Sequence, residues 1–170
     1  MIEWETDRLI LKRFSLGDVD GFLELNSDPD VLTYTGDRPF DTREQVARFI
    51  EDYTQYQLNG FGRWSVYLKE TGEYLGFCGL RRAERGGEVD IGFRFMRKHW
   101  RQGYALESSL AALKLAFGRY QLDRVVARAM EDNRASHGVI RKLGMTRCGC
   151  FTEGGVNWVT YELFAPDVKR

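Results

Sequence analysis

The order of periodicities along this chain predicts an α/β (α+β) fold: a mixed, mostly antiparallel sheet of about seven strands with four helices on its two faces. Three observations predict it. Short runs of alternating apolar and polar residues recur near the start, through the middle and at the end of the sequence. Stretches whose apolar residues return every three or four positions lie between them. Turn signals at Thr71-Gly72, Gly86-Gly87 and Gly154-Gly155 separate neighbouring strand-like runs, where hairpins are expected.

Taken in order, Thr6–Phe14 sets Leu9, Leu11 and Arg13 against Ile10, Lys12 and Phe14 and is the first predicted strand. Ser15 with Asp18 makes a capping box that opens a short helix through Asn26. A second box, Asp41 with Glu44, opens a longer helix carrying Val46, Phe49, Ile50, Tyr53 and Gln57 on one face and ending near Asn59-Gly60. Arg63–Lys69, Tyr74–Arg82 and Glu88–Met96 follow as an antiparallel meander. Leu106, Leu110, Leu113 and Phe117 then mark a helix from about Gln102 to Tyr120, succeeded by a strand at Arg124–Met130. Asn133 caps a fourth helix, with Ala135, Val139, Ile140 and Leu143 inward and Gly144 as its stop. Thr146–Thr152 and Val156–Phe164 close the chain as a hairpin. A sequence of 170 residues organised this way fits one domain over residues 1–170.

Composition excludes several classes of function. Twenty-five basic and 25 acidic residues leave no overall field to hold a polyanion, so neither nucleic acid nor an anionic membrane is expected as a partner. Cys78, Cys148 and Cys150 have no histidine at zinc-site spacing, and no metal is expected; reduced thiols and the lack of a leader pattern at Met1–Glu5 point to the cytoplasm. No apolar run approaches the ~20 residues of a membrane span.

One helix begins unlike the others. Those near Leu16, Thr42 and Arg134 start with Ser, Asp or Asn caps, and the first two add an acid in the first turn. The helix after Trp100 is approached by Arg97-Lys98-His99-Trp100-Arg101, with no cap side chain and no acid before Glu107. Gly103 and Ala105 keep side chains off its opening amides, so a phosphate group is expected there. Neither the Walker pattern nor Gly-x-Gly-x-x-Gly is present, which sets aside nucleoside triphosphates and NAD.

At Trp100-Arg101-Gln102-Gly103-Tyr104-Ala105 the chain resembles the GNAT superfamily, whose signature Arg/Gln-x-x-Gly-x-Gly/Ala it matches at Gly103 and Ala105. Trp at the first position departs from that signature and is similar to the branch that acetylates ribosomal-protein N-termini (RimJ/RimL-like). So do Asp90-Ile91-Gly92-Phe93, Ala105-Leu106-Glu107, and Asn133-Arg134-Ala135-Ser136 through Lys142-Leu143-Gly144-Met145. The resemblance implies acetyl-CoA (coenzyme A) as cofactor and a splay between the fourth and fifth strands. It implies that the backbone of Phe95, Met96 and Arg97 holds the pantetheine arm, that amides of Arg101, Gln102, Gly103, Tyr104 and Ala105 hold the pyrophosphate, and that Asn133 and Ser136 lie beside the thiol.

It further implies N-acetyl transfer by direct attack of a neutral amine on the thioester. An α-amine is about a tenth neutral at pH 7 and a lysine well under a thousandth, so an α-amine asks less of a base. Base candidates are Asp90 and Glu153, with Glu88 in reserve on the face of Asp90. The tyrosine acid of many relatives is replaced by Ile140, leaving Ser136 for that role; His137 and His99 read as surface histidines. Acceptor contacts are expected around Asp28–Arg38 and Glu153–Trp158. Tyr34, Phe40, Phe61, Trp64 and Trp158 are candidates to line the groove, and Asp28, Asp30 and Asp37 would suit a cation. The acceptor is a protein N-terminal α-amine, or alternatively a small amine such as a polyamine, amino acid or aminoglycoside. A non-catalytic acyl-CoA-binding module is the competing class, and a monomer or homodimer is expected.

Overall fold

Leu9 and Leu11 are fully buried while Ile10 and Lys12, which alternate with them, stay partly exposed, the pattern of an extended segment with one face inward. They form strand β2 (Leu9–Arg13) in a computed structural model that describes residues 1–83 and 87–166. β2 pairs antiparallel with β1 (Ile2–Glu5), a strand absent from the sequence reading. Its four residues include two acids, which hides the strand pattern; Glu3 is buried by pairing with Arg13 at 2.5 Å and Arg119 at 3.4 Å.

On its other side β2 pairs with β3 (Arg63–Leu68), which leads through β4 (Tyr74–Arg82) to β5 (Val89–Phe95), the expected meander. The Gly86-Gly87 turn lies outside the described residues, since Gly86 is not among them. β6 (Arg124–Met130), β7 (Thr146–Glu153) and β8 (Val156–Phe164) complete one sheet in the order β1-β2-β3-β4-β5-β6-β8-β7. Among the described residues there are thus eight strands rather than about seven. All neighbours are antiparallel except β5 and β6.

Among the described residues four helices have seven residues or more: α1 (Val19–Leu25), α3 (Arg43–Glu51), α5 (Tyr104–Phe117) and α6 (Arg134–Lys142). The single-turn α2 (Pro29–Leu32) starts on Asp28, whose side chain accepts from the Asp30 amide, in a segment where the sequence had shown no element. The long helix expected to end at Asn59-Gly60 is two helices. α3 stops at Glu51 and α4 (Gln55–Asn59) follows, closed by Gly60 at φ 81°. The break turns Tyr53 and Tyr56 inward, where the Tyr53 hydroxyl accepts from the Arg63 amide at 2.8 Å and the Tyr56 hydroxyl accepts from the Phe14 amide at 2.9 Å. The cap of α3 is also shifted by one residue from the expectation: Thr42 and Gln45, not Asp41 and Glu44, make the box.

Helices lie on both faces. On β4, Phe77 packs among the α1 and α3 side chains Phe22, Val46 and Ile50, while its neighbour Cys78 faces the main core with Ala112, Leu113 and Ala116 of α5. Asp18, at the start of α1, anchors that helix to the sheet by accepting from Ser65 at 2.8 Å and from Tyr67. Among the described residues no helix is long and apolar enough to cross a membrane.

Candidate active site

The site follows from one defect in the sheet. β4 and β5 pair continuously from Arg82↔Val89 to Gly76↔Phe95, whereas the parallel seam between β5 and β6 is recorded at Asp90↔Val126 and goes no further. Beyond that pair the strands diverge, giving the expected splay. The Met96 amide donates to Leu75 of β4 at 3.0 Å, so by alternation Phe93 and Phe95 turn their backbone groups toward the gap.

This geometry corrects part of the expected pantetheine contact. The Phe95 carbonyl already accepts from the Trp100 indole at 2.8 Å, and the Met96 amide is committed to β4. The Met96 side chain is buried with Leu25 and Val31, and Arg97 points its guanidinium at Asp30 (2.6 Å) and Asp28 (3.4 Å). The Arg97 ion pairs engage its side chain alone, so the backbone open to the gap is that of Phe93, the Phe95 amide and, continuing the alternation, the Arg97 amide. Trp100, the departure from the signature, ties the turn back onto the end of β5.

The start of α5 is built from unusual backbone. Arg101 has φ 63° and Gly103, at the N-cap, has φ 82° and no side chain with which to cap. Tyr104, Ala105 and the residues behind them open the helix with amides that have no partner in the helix itself. Much of the positive charge leading up to it, however, is answered from elsewhere in the chain. Glu73 lies 3.5 Å from Lys98 and 3.3 Å from His99, and Asp28 and Asp30 answer Arg97. Arg101 alone of that basic run, among the described residues, has no carboxylate within ion-pair distance. The feature that survives as an anion site is uncapped backbone, with Arg101 beside it.

Arg8 joins this entrance and was missed by sequence reasoning. Its Nε pairs with Glu107 at 2.7 Å, its guanidinium lies 4.6 Å from the Tyr104 ring centre, and its Nη2 would stand 3.3 Å from a Cβ at Gly103. Nearly a hundred residues separate Arg8 from the glycine, and no local pattern links them. Glu107 also accepts from Thr6 at 2.6 Å; burial would raise its pKa, but these hydrogen bonds and Arg8 hold it below the usual glutamate value.

The splay opens into a cavity of about 610 Å³ lined by Asp90, Asn133, Ser136, Ile140 and Glu153 together with Tyr34, Phe40 and Trp158. Phe61 and Trp64, also candidates to line it, are instead buried core residues at 1% and 0% exposure. At the head of α6 the Asn133 side chain accepts from the Ser136 amide at 3.3 Å and donates through Nδ2 to Ser136 Oγ at 2.9 Å. Asn133 is thus the helix cap, and Ser136 Oγ keeps its own proton to donate. Ile140, one turn on, leaves no hydroxyl at that position.

Asp90 is not placed as a base. Its buried carboxylate meets Arg63 at 2.5 Å, Arg81 at 3.3 Å and Arg128 at 3.8 Å. Burial alone would push its pKa up, but the charges of Arg63, Arg81 and Arg128 outweigh it and hold the carboxyl below the ordinary aspartate value. A carboxylate so held is a poor proton acceptor, and its role becomes that of fixing Arg63. Glu88 is held the same way: burial works against its charge, yet hydrogen bonds from Arg124 and Arg128 lower its pKa. Glu153, by contrast, is exposed at the end of β7 and edges the cavity.

Two further readings are corrected. His137 is buried at 6% exposure, with Nδ1 2.8 Å from the Tyr161 hydroxyl and Nε2 3.0 Å from the Met130 carbonyl, a structural link between α6 and the sheet. His99 is mostly covered as well, its side chain 11% exposed. The acids Asp28, Asp30 and Asp37 are spent on Arg97 and, for Asp37, on Arg94 at 2.7 Å, so they are not free for a cationic acceptor. Among the described residues no group of three or more His, Cys, Asp or Glu is placed to hold a metal.

The model of the acetyltransferase (GNAT) domain matches residues 8–146. The chain is 30% identical over 146 residues to the uncharacterized N-acetyltransferase p20 of Bacillus licheniformis, covering 85% of this chain and 82% of that protein. A solved acetyltransferase (GNAT family) from Bacillus anthracis superposes with a TM-score of 0.85 at 26% identity, over 98% of this chain and all of that one. The RimL acetyltransferase of ribosomal protein L7/L12, solved with coenzyme A, superposes with a TM-score of 0.80 over 96% of this chain and 98% of that one; at 19% identity it shows the shared fold alone.

Proposed function

Because the chain belongs to the GNAT acetyltransferase family, and is an N-acetyltransferase that takes its acetyl group from acetyl-CoA, we propose that it acylates an α-amine, on a protein N-terminus or a small molecule, by direct attack in a ternary complex. The observation that carries this reading is the splay beyond Asp90↔Val126, from which a cavity large enough for an acceptor opens, with an uncapped helix start following the end of β5 in the chain.

Acetyl-CoA supplies the thioester. The amides from Arg101 to Ala105 take its diphosphate, with Arg101 and Arg8 as the neighbouring cations. The backbone of Phe93 and the amides of Phe95 and Arg97, turned toward the gap, hold the pantetheine arm as an added strand would and place a hydrogen-bond donor where negative charge develops on oxygen. Glu153 is the proton acceptor, directly or through water; an α-amine, partly neutral already, needs no stronger one. Ser136, its oxygen fixed by Asn133, donates a hydrogen bond to the departing sulfur, and the proton that neutralises the thiolate comes from solvent through that hydroxyl, which is left protonated. Alignment of the two reactants is the larger part of the rate gain. The three cysteines are free thiols, in keeping with a cytoplasmic setting.

The test has two stages. Acetyl-CoA at ~100 times its dissociation constant raises the unfolding free energy by about 2.7 kcal/mol, read as a rise in melting temperature. Thiol release with α-amine acceptors then follows saturation kinetics in both substrates, with intersecting rather than parallel double-reciprocal lines. No thermal shift, or parallel lines, would overturn the reading.

A further inference from the structure

The acceptor's chemical class is written in the charge of the cavity wall. Among the described residues that line it, five are arginines, Arg38, Arg63, Arg81, Arg94 and Arg128, against the three carboxylates of Asp37, Asp90 and Glu153. The acids do not neutralise the arginines evenly. Asp37 is engaged by Arg94, which also donates to Asn26 at 2.5 Å. Asp90 is engaged first by Arg63, whose Nη1 also donates to the carbonyls of Gly79 at 2.8 Å and of Asp90 itself at 3.0 Å.

What remains of Asp90 is shared at longer range by Arg81 and Arg128, and Arg128 has Glu88 as a closer partner. Of the three arginines around Asp90, Arg81 is thus the one with neither a close ion pair nor a second acid among the described residues; Arg128 lies farther from Asp90 but is held by Glu88. The Arg81 side chain is 56% exposed, and one Nη2 contact at 3.3 Å is its bond to Asp90. The rest of its fork is available to a ligand, and Arg38, exposed on the facing loop, adds to the surplus.

Resting on the acetyl-transfer reading above, we propose that the acceptor is an amine whose own molecule carries a carboxylate or phosphate, which Arg81 binds while the amine reaches the splay. A polyamine or aminoglycoside brings further positive charge into a wall that is already in positive excess, and is a poor acceptor for that reason. The anionic group has two sources, a small acidic amine or an acidic side chain near a peptide N-terminus, and both offer the same chemistry to the fork.

The experiment is a comparison of kcat/KM at saturating acetyl-CoA. One arm pairs glutamate and phosphoserine with glutamine and serine, a second pairs peptides bearing Glu or Lys after the first residue, and a third uses spermidine. The anionic member of the favoured pair leads its neutral or cationic counterpart by about tenfold or more, the worth of one charge-assisted fork, and whichever arm shows the lead identifies the source. Arg81→Gln raises the acceptor KM about tenfold with the KM for acetyl-CoA unchanged, Arg81→Lys keeps the ranking, and Arg81→Glu moves it toward spermidine. Melting temperatures confirm that each variant is folded. A wild-type preference for spermidine or for the Lys peptide overturns the inference while leaving acetyl transfer intact, as does an unchanged ranking in Arg81→Glu. Loss of coenzyme A binding in the wild type would overturn both.

Discussion

The two arginine-rich regions of this molecule, the entrance of α5 and the floor formed by β3 to β6, use the same side chain to opposite ends. At the entrance the cations follow one another along a single turn, most of them are answered by acids brought from other elements, and backbone amides are left as the ligand's donors. On the floor the arginines come from three strands, converge on one buried carboxylate supplied by a fourth, and leave part of one side chain over for a ligand. Positive charge is therefore a poor guide to a binding site until one knows which acids the fold sends to meet it. Uncapped backbone is the better guide, since nothing but a ligand or water can satisfy it.

Substitutions can break that contrast in order of size. Asp90→Asn strikes the floor and has the largest effect, because Arg63 is left buried without a counter-charge; unfolding free energy falls by about 3 kcal/mol in denaturant titration. The same group gives the floor a pH signature. Since the folded pKa of Asp90 lies below its ordinary value of 3.8, its contribution is complete above about pH 4 and is lost as the pH falls through the lower folded value; in Asp90→Asn this part of the acid sensitivity disappears. A variant as stable as the wild type at pH 7 would mean that the floor is not held by this carboxylate.

Gly103→Asp strikes the entrance. Its left-handed backbone tolerates Asp better than most residues, so the variant folds, but coenzyme A affinity by calorimetry falls about a hundredfold, while Gly103→Asn, of the same shape without the charge, loses much less. Equal losses in the two would assign the effect to bulk. Smallest is Arg101→Gly, which keeps the turn and removes one exposed cation: affinity falls about threefold, and a loss as large as that of Gly103→Asp would show that charge rather than backbone carries the site.

The contrast also explains what could be read from the sequence. The α5 entrance was legible because its parts are contiguous: a strand, a basic turn, a glycine and an amphipathic helix follow one another without a break from Val89 to Phe117, and each has a local cause. The floor was illegible because Arg63, Arg81, Asp90 and Arg128 have neighbours of their own that give no sign of one another. The same distance hid Arg8 from Gly103 and Glu73 from Lys98, and so made the entrance look more highly charged than it is. Local competition caused the remaining differences. Two acids concealed β1, a one-residue choice between Asp41 and Thr42 displaced a cap, and a helix with unbroken periodicity was cut so that two tyrosines could bond the turns flanking β2 and β3. His137 shows the limit plainly, since nothing next to it in sequence announces the Tyr161 hydroxyl that holds it.

The Arg63 guanidinium lies where a side chain on Gly92 would be: a Cβ there would stand 2.5 Å from its Nη2. A side chain at 92 can enter only if that guanidinium moves. Moving it pulls Arg63 away from Asp90 and from the Gly79 carbonyl, so the constraint runs one way: glycine at 92 leaves position 63 free to change, whereas a larger residue at 92 fits most readily where the residue at 63 is shorter. In any descendant, a residue other than glycine at 92 is thus the sign that the buried cation has been displaced or lost.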